Sequence, residues 1–161
     1  MQMNNQKGVT MVLLILIVIV LGILATVTVE EIGNLMNNVK LETISTNMLL
    51  IQAKSKVIYE KSNFNNDDSL LKGQIINEIT ENEQLNKLKS DGIISETEEN
   101  YDGYYLWNKQ TIEELQLGIR DMKDTEFFVV NYKTEEVISS EGYKHTDGNT
   151  YYKLSEILEL K

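Results

Sequence analysis

His145, Asp147 and Asn149 are the residues whose types and spacing offer the most chemistry, in the run Lys144-His145-Thr146-Asp147-Gly148-Asn149. An imidazole two residues from a carboxylate could shuttle a proton or help to hold a metal ion. It would have to act alone, because the chain has one His and no Cys. A zinc centre needs several N or S ligands, and a triad needs a nucleophile and a base together. His145 therefore reads as a surface residue in a hairpin loop. Asp147 and Asn149 are minor candidates for calcium, with Asp102-Gly103 a second oxygen-rich turn. Neither matches the ligand spacing of an EF-hand, and hairpin turns use the same residues without an ion.

The other polar clusters read as solvated surface. Glu96-Thr97-Glu98-Glu99 and Glu135-Glu136 suit exposed faces and turns, and Asp67-Asp68 suits a turn and helix N-cap ahead of any cation site. Tyr101, Tyr104, Tyr105, Trp107, Tyr132, Tyr143, Tyr151 and Tyr152 could form an adhesive surface for sugars or protein, but at strand positions they serve first to cover a small sheet. No catalytic constellation emerges, so the chain is not expected to be an enzyme. A formal charge of −10 opposes direct binding of nucleic acid or anionic lipid headgroups, since both need Lys and Arg to displace counterions. Without cysteine, no disulfide can brace the fold.

The elements that must position these residues start with one long helix, expected over residues 9–60. Ile32, Leu35, Met36 and Val39 fall at i, i+3, i+4 and i+7; Leu41, Ile44, Met48 and Ile51 continue a similar stripe, with Val57 and Ile58 near its end. Gly33 is its weak point. Ser62 to Asp68 has the composition of a loop, and residues 69–89 read as two short helices broken near Glu81 to Glu83. Tyr104 to Trp107 reads as a strand, Asn108 as an N-cap, and Thr111 to Leu117 as a short helix closed by Gly118. Phe127 to Tyr132 is the clearest strand. A turn at Lys133 to Glu135 leads into Glu136 to Ser139, and a second hairpin joins Gly142 to Lys144 with Thr150 to Tyr152 through a loop containing Asp147-Gly148. Ser155 is expected to cap a final helix reaching Leu160. The fold class is α+β: a long N-terminal helix packed on a small antiparallel sheet with short helices.

The first half of that helix is of another kind. From Val9 to Val29 there is no charge and no proline, and only Thr10, Gly22, Thr26 and Thr28 interrupt the apolar residues. At about 1.5 Å per residue such a run is about 30 Å long, the thickness of a bilayer's hydrocarbon core. It is too long for the apolar region of a signal peptide, and Thr28-Val29-Glu30-Glu31-Ile32 offers no small-residue cleavage site. Lys7 precedes the run and Glu30 and Glu31 follow it, which places the N-terminus on the cytoplasmic side and the C-terminal domain outside.

Lys7-Gly8-Val9-Thr10-Met11-Val12, with Leu21-Gly22-Ile23-Leu24-Ala25 late in the same helix, resembles the N-terminus of type IV pilins and of the pseudopilins of type II secretion and competence systems. The resemblance covers about the first 50 residues. It implies a leader over residues 1–8, cut between Gly8 and Val9 by a prepilin peptidase, and N-methylation of Val9. Loss of the leader removes one cation, taking the formal charge from −10 to −11. The family usually has Glu at the fifth mature position, where it pairs with a neighbouring subunit's terminal amine; here Leu13 stands there, which points to a minor subunit at the filament tip. Glu30 occupies a place where many major pilins have a kinking Pro, and this chain has no Pro at all.

The expected organisation is a leader (1–8), a transmembrane and filament-core helix (9–29), its amphipathic continuation (30–60) and a soluble α+β domain (61–161). The expected function is that of a structural subunit of a type IV pilus or type II secretion-like pseudopilus. Its expected partners are prepilin peptidase, other pilin subunits, an inner-membrane assembly platform and the lipid bilayer, with Gly22 and Ala25 as close-packing positions between helices. The alternative is a single-pass membrane-anchored surface domain that binds a partner and is neither processed nor polymerised.

Overall fold

The computed structural model describes the backbone of residues 6–95, 101–119 and 122–161, and side chains at 14, 15, 17–19 and from 35 onward within those ranges. Internal contacts divide the chain into two units, Met1–Val39 and Lys40–Lys161. In the first, the backbone from Gln6 onward is helical, part of helix α1 (Gln6–Asn65). Its described apolar side chains, Leu14, Ile15, Ile17, Val18, Ile19, Leu35, Met36 and Val39, are all exposed. Among the described residues, no helix is long and apolar enough to cross a membrane. Most side chains of the Val9 to Val29 stretch lie outside the described residues.

In the second unit α1 continues as expected, without a break at Gly33 upstream and five residues beyond the expected end. Its inward stripe is Leu41, Ser45, Met48, Ile51, Ser55 and Ser62, all buried, with Ile44 and Ile58 half-buried. The three serines satisfy themselves locally: Ser45 Oγ donates to Glu42 O at 3.1 Å, Ser55 Oγ to Gln52 O at 2.9 Å and Ser62 Oγ to Asp67 O at 3.0 Å. Small side chains there let the helix lie close to the sheet without an unpaired hydroxyl. Val57, expected on this stripe, is instead 64% exposed. Chain reversal comes at Asn66, whose φ of 53° is the left-handed stop Asn tolerates. Asp67 then caps a 3-10 turn over Asp68–Leu70, its side chain accepting from Ser69 N.

The sheet is an antiparallel meander in the order β1 (Gln74–Ile75), β2 (Tyr104–Asn108), β3 (Phe127–Asn131), β4 (Val137–Lys144) and β5 (Thr150–Lys153). Registers such as Leu106 opposite Val129 and Trp107 opposite Phe128 fix which side chains share a face. β3 is buried along its whole length, so its run Phe-Phe-Val-Val serves both faces. Phe128 and Val130 pack with Trp107, Tyr132, Val137 and the α1 stripe, joined by Ile112 of α3 (Lys109–Glu114) and Ile157 of α4 (Leu154–Glu159). Phe127 and Val129 pack on the other face with Leu106, Ile138, Ile76 and the Leu85 and Leu88 of α2 (Glu83–Ser90). The unit is α+β, with helices on both faces of five antiparallel strands.

Several expectations meet corrections. Residues 69–79 form no α-helix: Gln74–Ile75 is an edge strand, with short 3-10 turns at Asp68–Leu70 and Ile76–Glu78. Gly73, at φ 96°, lies so close to Trp107 that a Cβ would sit 2.5 Å from the indole Cδ1, and this approach holds the segment extended. α2 does begin after Glu81, with Asn82 accepting from Leu85 N as its cap. Asn108 caps α3 as expected, but the helix ends at Glu114, because Gln116 takes φ 55°. The strands expected at Glu136 to Ser139 and Gly142 to Lys144 are one strand, β4, irregular between Ile138 and Tyr143. Phe127 N is taken up by Ser140 Oγ at 3.0 Å, and Gly142 N by Ser139 Oγ at 3.3 Å. Ser155 does not cap α4. Its N–H and hydroxyl both donate to Glu136, at 3.2 and 2.7 Å, while Glu156 reaches back to Lys153 N at 3.3 Å.

Candidate functional site

The hairpin tip between β4 and β5 gathers the residues that seemed best suited to chemistry, and their geometry is that of a turn. Asp147 Oδ1 accepts from Asn149 N at 2.8 Å, and its Oδ2 accepts from Tyr151 Oη at 2.7 Å and Asn149 Nδ2 at 3.2 Å. His145 N donates to Asn149 O at 2.9 Å, closing the loop, and Gly148 takes φ 91°. The Tyr151 hydroxyl, aided by Asn149, pulls the Asp147 carboxyl down to about 2. Both carboxylate oxygens are thus committed to the hairpin, and the calcium candidates Asp147 and Asn149 are bonded chiefly to each other and to Tyr151. Asp102 is likewise engaged by Lys133, whose ammonium holds its carboxyl below the usual range. Among the described residues no group of three or more His, Cys, Asp or Glu side chains is placed to hold a metal ion. His145 lies about 6 Å from the rings of Tyr143 and Tyr151, a side chain that closes the tip.

The aromatic residues divide between core and rim as strand positions do. Tyr104, Trp107, Tyr132 and Tyr143 are buried, while Tyr101, Tyr105, Tyr151 and Tyr152 are half-buried. Tyr132 stacks edge-on to Tyr105 at 5.0 Å, and its hydroxyl donates to Lys72 O at 2.9 Å. Burial pushes its own pKa up to about 12. No exposed aromatic platform results. Lys89 donates to Ile76 O at 2.9 Å and lies over the Tyr101 ring; burial lowers its pKa. Open depressions lie elsewhere, one of about 430 Å³ among Asn108, Lys109, Gln110, Glu113 and Asp124.

What the fold leaves uncovered is the side of α1 turned away from the sheet. Within the second unit Leu49, Leu50, Val57 and Phe64 are 39%, 44%, 64% and 91% exposed. Leu50, Ala53, Val57 and Phe64 recur at three- and four-residue multiples, the spacing of a helix seam. An apolar stripe opposite one that is already buried has no role inside the unit. Sequence reasoning merged Val57 with the inner stripe; separating the two by 100° per residue would have found it. In the first unit Leu35, Met36 and Val39 are 63%, 55% and 65% exposed. Gly8 and Val9 fall in the helical backbone at the start of α1, and Gly22 and Ala25 within it. The side chains of Val9, Leu13 and Ala25, and the surroundings of Gly8 and Gly22, lie outside the described residues. No family model matches the chain, and no curated protein or solved structure matches it significantly.

Proposed function

We propose that the chain is a structural subunit, of the minor kind, of a type IV pilus or type II secretion-like pseudopilus. The observation that carries this reading is the helix α1 itself: one element, Gln6–Asn65, bears the apolar Val9 to Val29 run at its start and a sheet-covering stripe at its end, with outward apolar residues that stand exposed among the described residues. A helix that is apolar beyond the needs of its own domain must be covered by lipid, by neighbouring subunits or by each in turn. The precursor would wait in the membrane with its C-terminal domain outside, be cut between Gly8 and Val9 by prepilin peptidase, be methylated on Val9, and be drawn by an inner-membrane platform into a filament of bundled helices. Gly22 and Ala25 would allow close helix approach there.

Leu13, in place of a carboxylate, fits a subunit that docks no amine above it, because a charge left unpaired in hydrocarbon is costly. The test is the cut itself. Gly8→Phe in the full chain blocks maturation, read as retention of the leader by mass; normal maturation of that variant contradicts the cut site.

A further inference from the structure

The charge of the second unit is unevenly spread. Residues 40–65 carry four lysines against two glutamates, whereas residues 66–161 carry ten cationic residues against 21 acidic ones. On α1 the exposed Val57 lies between Lys54, three residues before it, and Lys61, four after it, so the three share one side of the helix. Among the described residues neither lysine has an acidic partner, unlike Lys56, which pairs with Glu135 at 2.8 Å. Glu60, three residues after Val57, borders the same side, so the ridge keeps a net positive charge and two like ridges gain little by facing each other.

The opposite arrangement lies at the β1 edge of the sheet. Gln74, Glu78, Ile79, Thr80 and Glu81 line an open depression of about 390 Å³, beside Ile75, which is 38% exposed. Glu78 and Glu81 have no ion pair among the described residues, and they flank the half-buried Ile79. An apolar knob between two cations and an apolar floor between two carboxylates are complementary in both respects.

We propose that the Lys54–Val57–Lys61 ridge of one copy seats in the Gln74–Glu81 depression of the next. The two patches differ, so the contact is head-to-tail and propagates from copy to copy instead of closing a dimer. This deepens the filament reading and rests on it for its setting.

The chain has no cysteine, which makes cross-linking clean. Two full-length copies with different tags, one carrying Val57→Cys and the other Thr80→Cys, are co-expressed in the native membrane and oxidised. The mixed disulfide is expected to exceed both homodimers, and a Val57→Cys pairing with Lys144→Cys, several-fold. It should fall when the Val57→Cys copy also carries Lys54→Glu and Lys61→Glu, and return when the Thr80→Cys copy carries Glu78→Lys and Glu81→Lys. Dominance of the Val57→Cys homodimer, or mixed product no greater than the Lys144→Cys control, overturns the contact. The N-terminus of the same sample separates the two ideas: processed chain without the cross-link rejects this contact alone, and cross-link between unprocessed chains keeps the contact and rejects the prepilin route.

Discussion

Trp107 is the only tryptophan and is fully buried, its indole N–H donating to Lys72 O at 2.8 Å. The same carbonyl accepts from Tyr132 Oη, and Lys72 N donates to that hydroxyl at 3.0 Å. Two aromatic side chains therefore pin the one turn that carries the chain from α1 to the sheet edge. Gly73 completes the clamp, and Gly73→Ala is expected to cost about 2–4 kcal/mol, from left-handed strain and overpacking together. Urea unfolding followed by Trp107 fluorescence measures it. Tyr132 has a raised pKa, so the stability it contributes in its neutral form is complete below about pH 10, its usual value, and lost as pH rises through about 12. Tyr132→Phe should remove that alkaline loss. At the hairpin tip the sign is opposite. The lowered pKa of Asp147 gives stability that is present above the usual 3.8 and lost as pH falls toward about 2. Asp147→Asn should flatten the acid limb in that window, read from the unfolding midpoint across pH.

At the scale of elements, α1 presents two faces with different tasks. Met48 and Ile51 are fully buried against the sheet, so Met48→Ala or Ile51→Ala should cost about 2–5 kcal/mol. Val57→Ala, on the exposed face, should change stability by less than about 0.5 kcal/mol while lowering association between copies. Equal losses at both positions would contradict this division. The helix was legible because its 3.6-residue period needs no partner to be recognised, and β3 because Phe-Phe-Val-Val suits a strand buried on both faces. Leu71, Ile75 and Ile79 misled because they too have helical spacing; the contact of Gly73 with Trp107, 34 residues away, overrides it. Ser155 looked like a cap, but its partner Glu136 comes from the far end of the hairpin, a pairing no local pattern carries. The candidate site divides in the same way: the motif around Gly8 and Val9 is purely sequential, and the two faces of α1 are separable by angle in the sequence, whereas which of them is covered depends on the sheet.

At the scale of the whole molecule, the proposed role requires α1 to leave one environment for another, membrane for filament. Its C-terminal part packs on the sheet, and its outward apolar residues there, Leu49, Leu50, Val57 and Phe64, are exposed. If the missing carboxylate limits docking, Leu13→Glu should raise the amount of this subunit in isolated filaments, and an unchanged content would count against that account of Leu13. The most direct test is the N-terminal residue and intact mass of the full chain isolated from its own membranes. A chain beginning at N-methylated Val9, with residues 1–8 gone, is the predicted result. A chain still beginning at Met1 or Gln2, in cells shown to mature other prepilins, would contradict it and leave a membrane-anchored domain that never enters a filament.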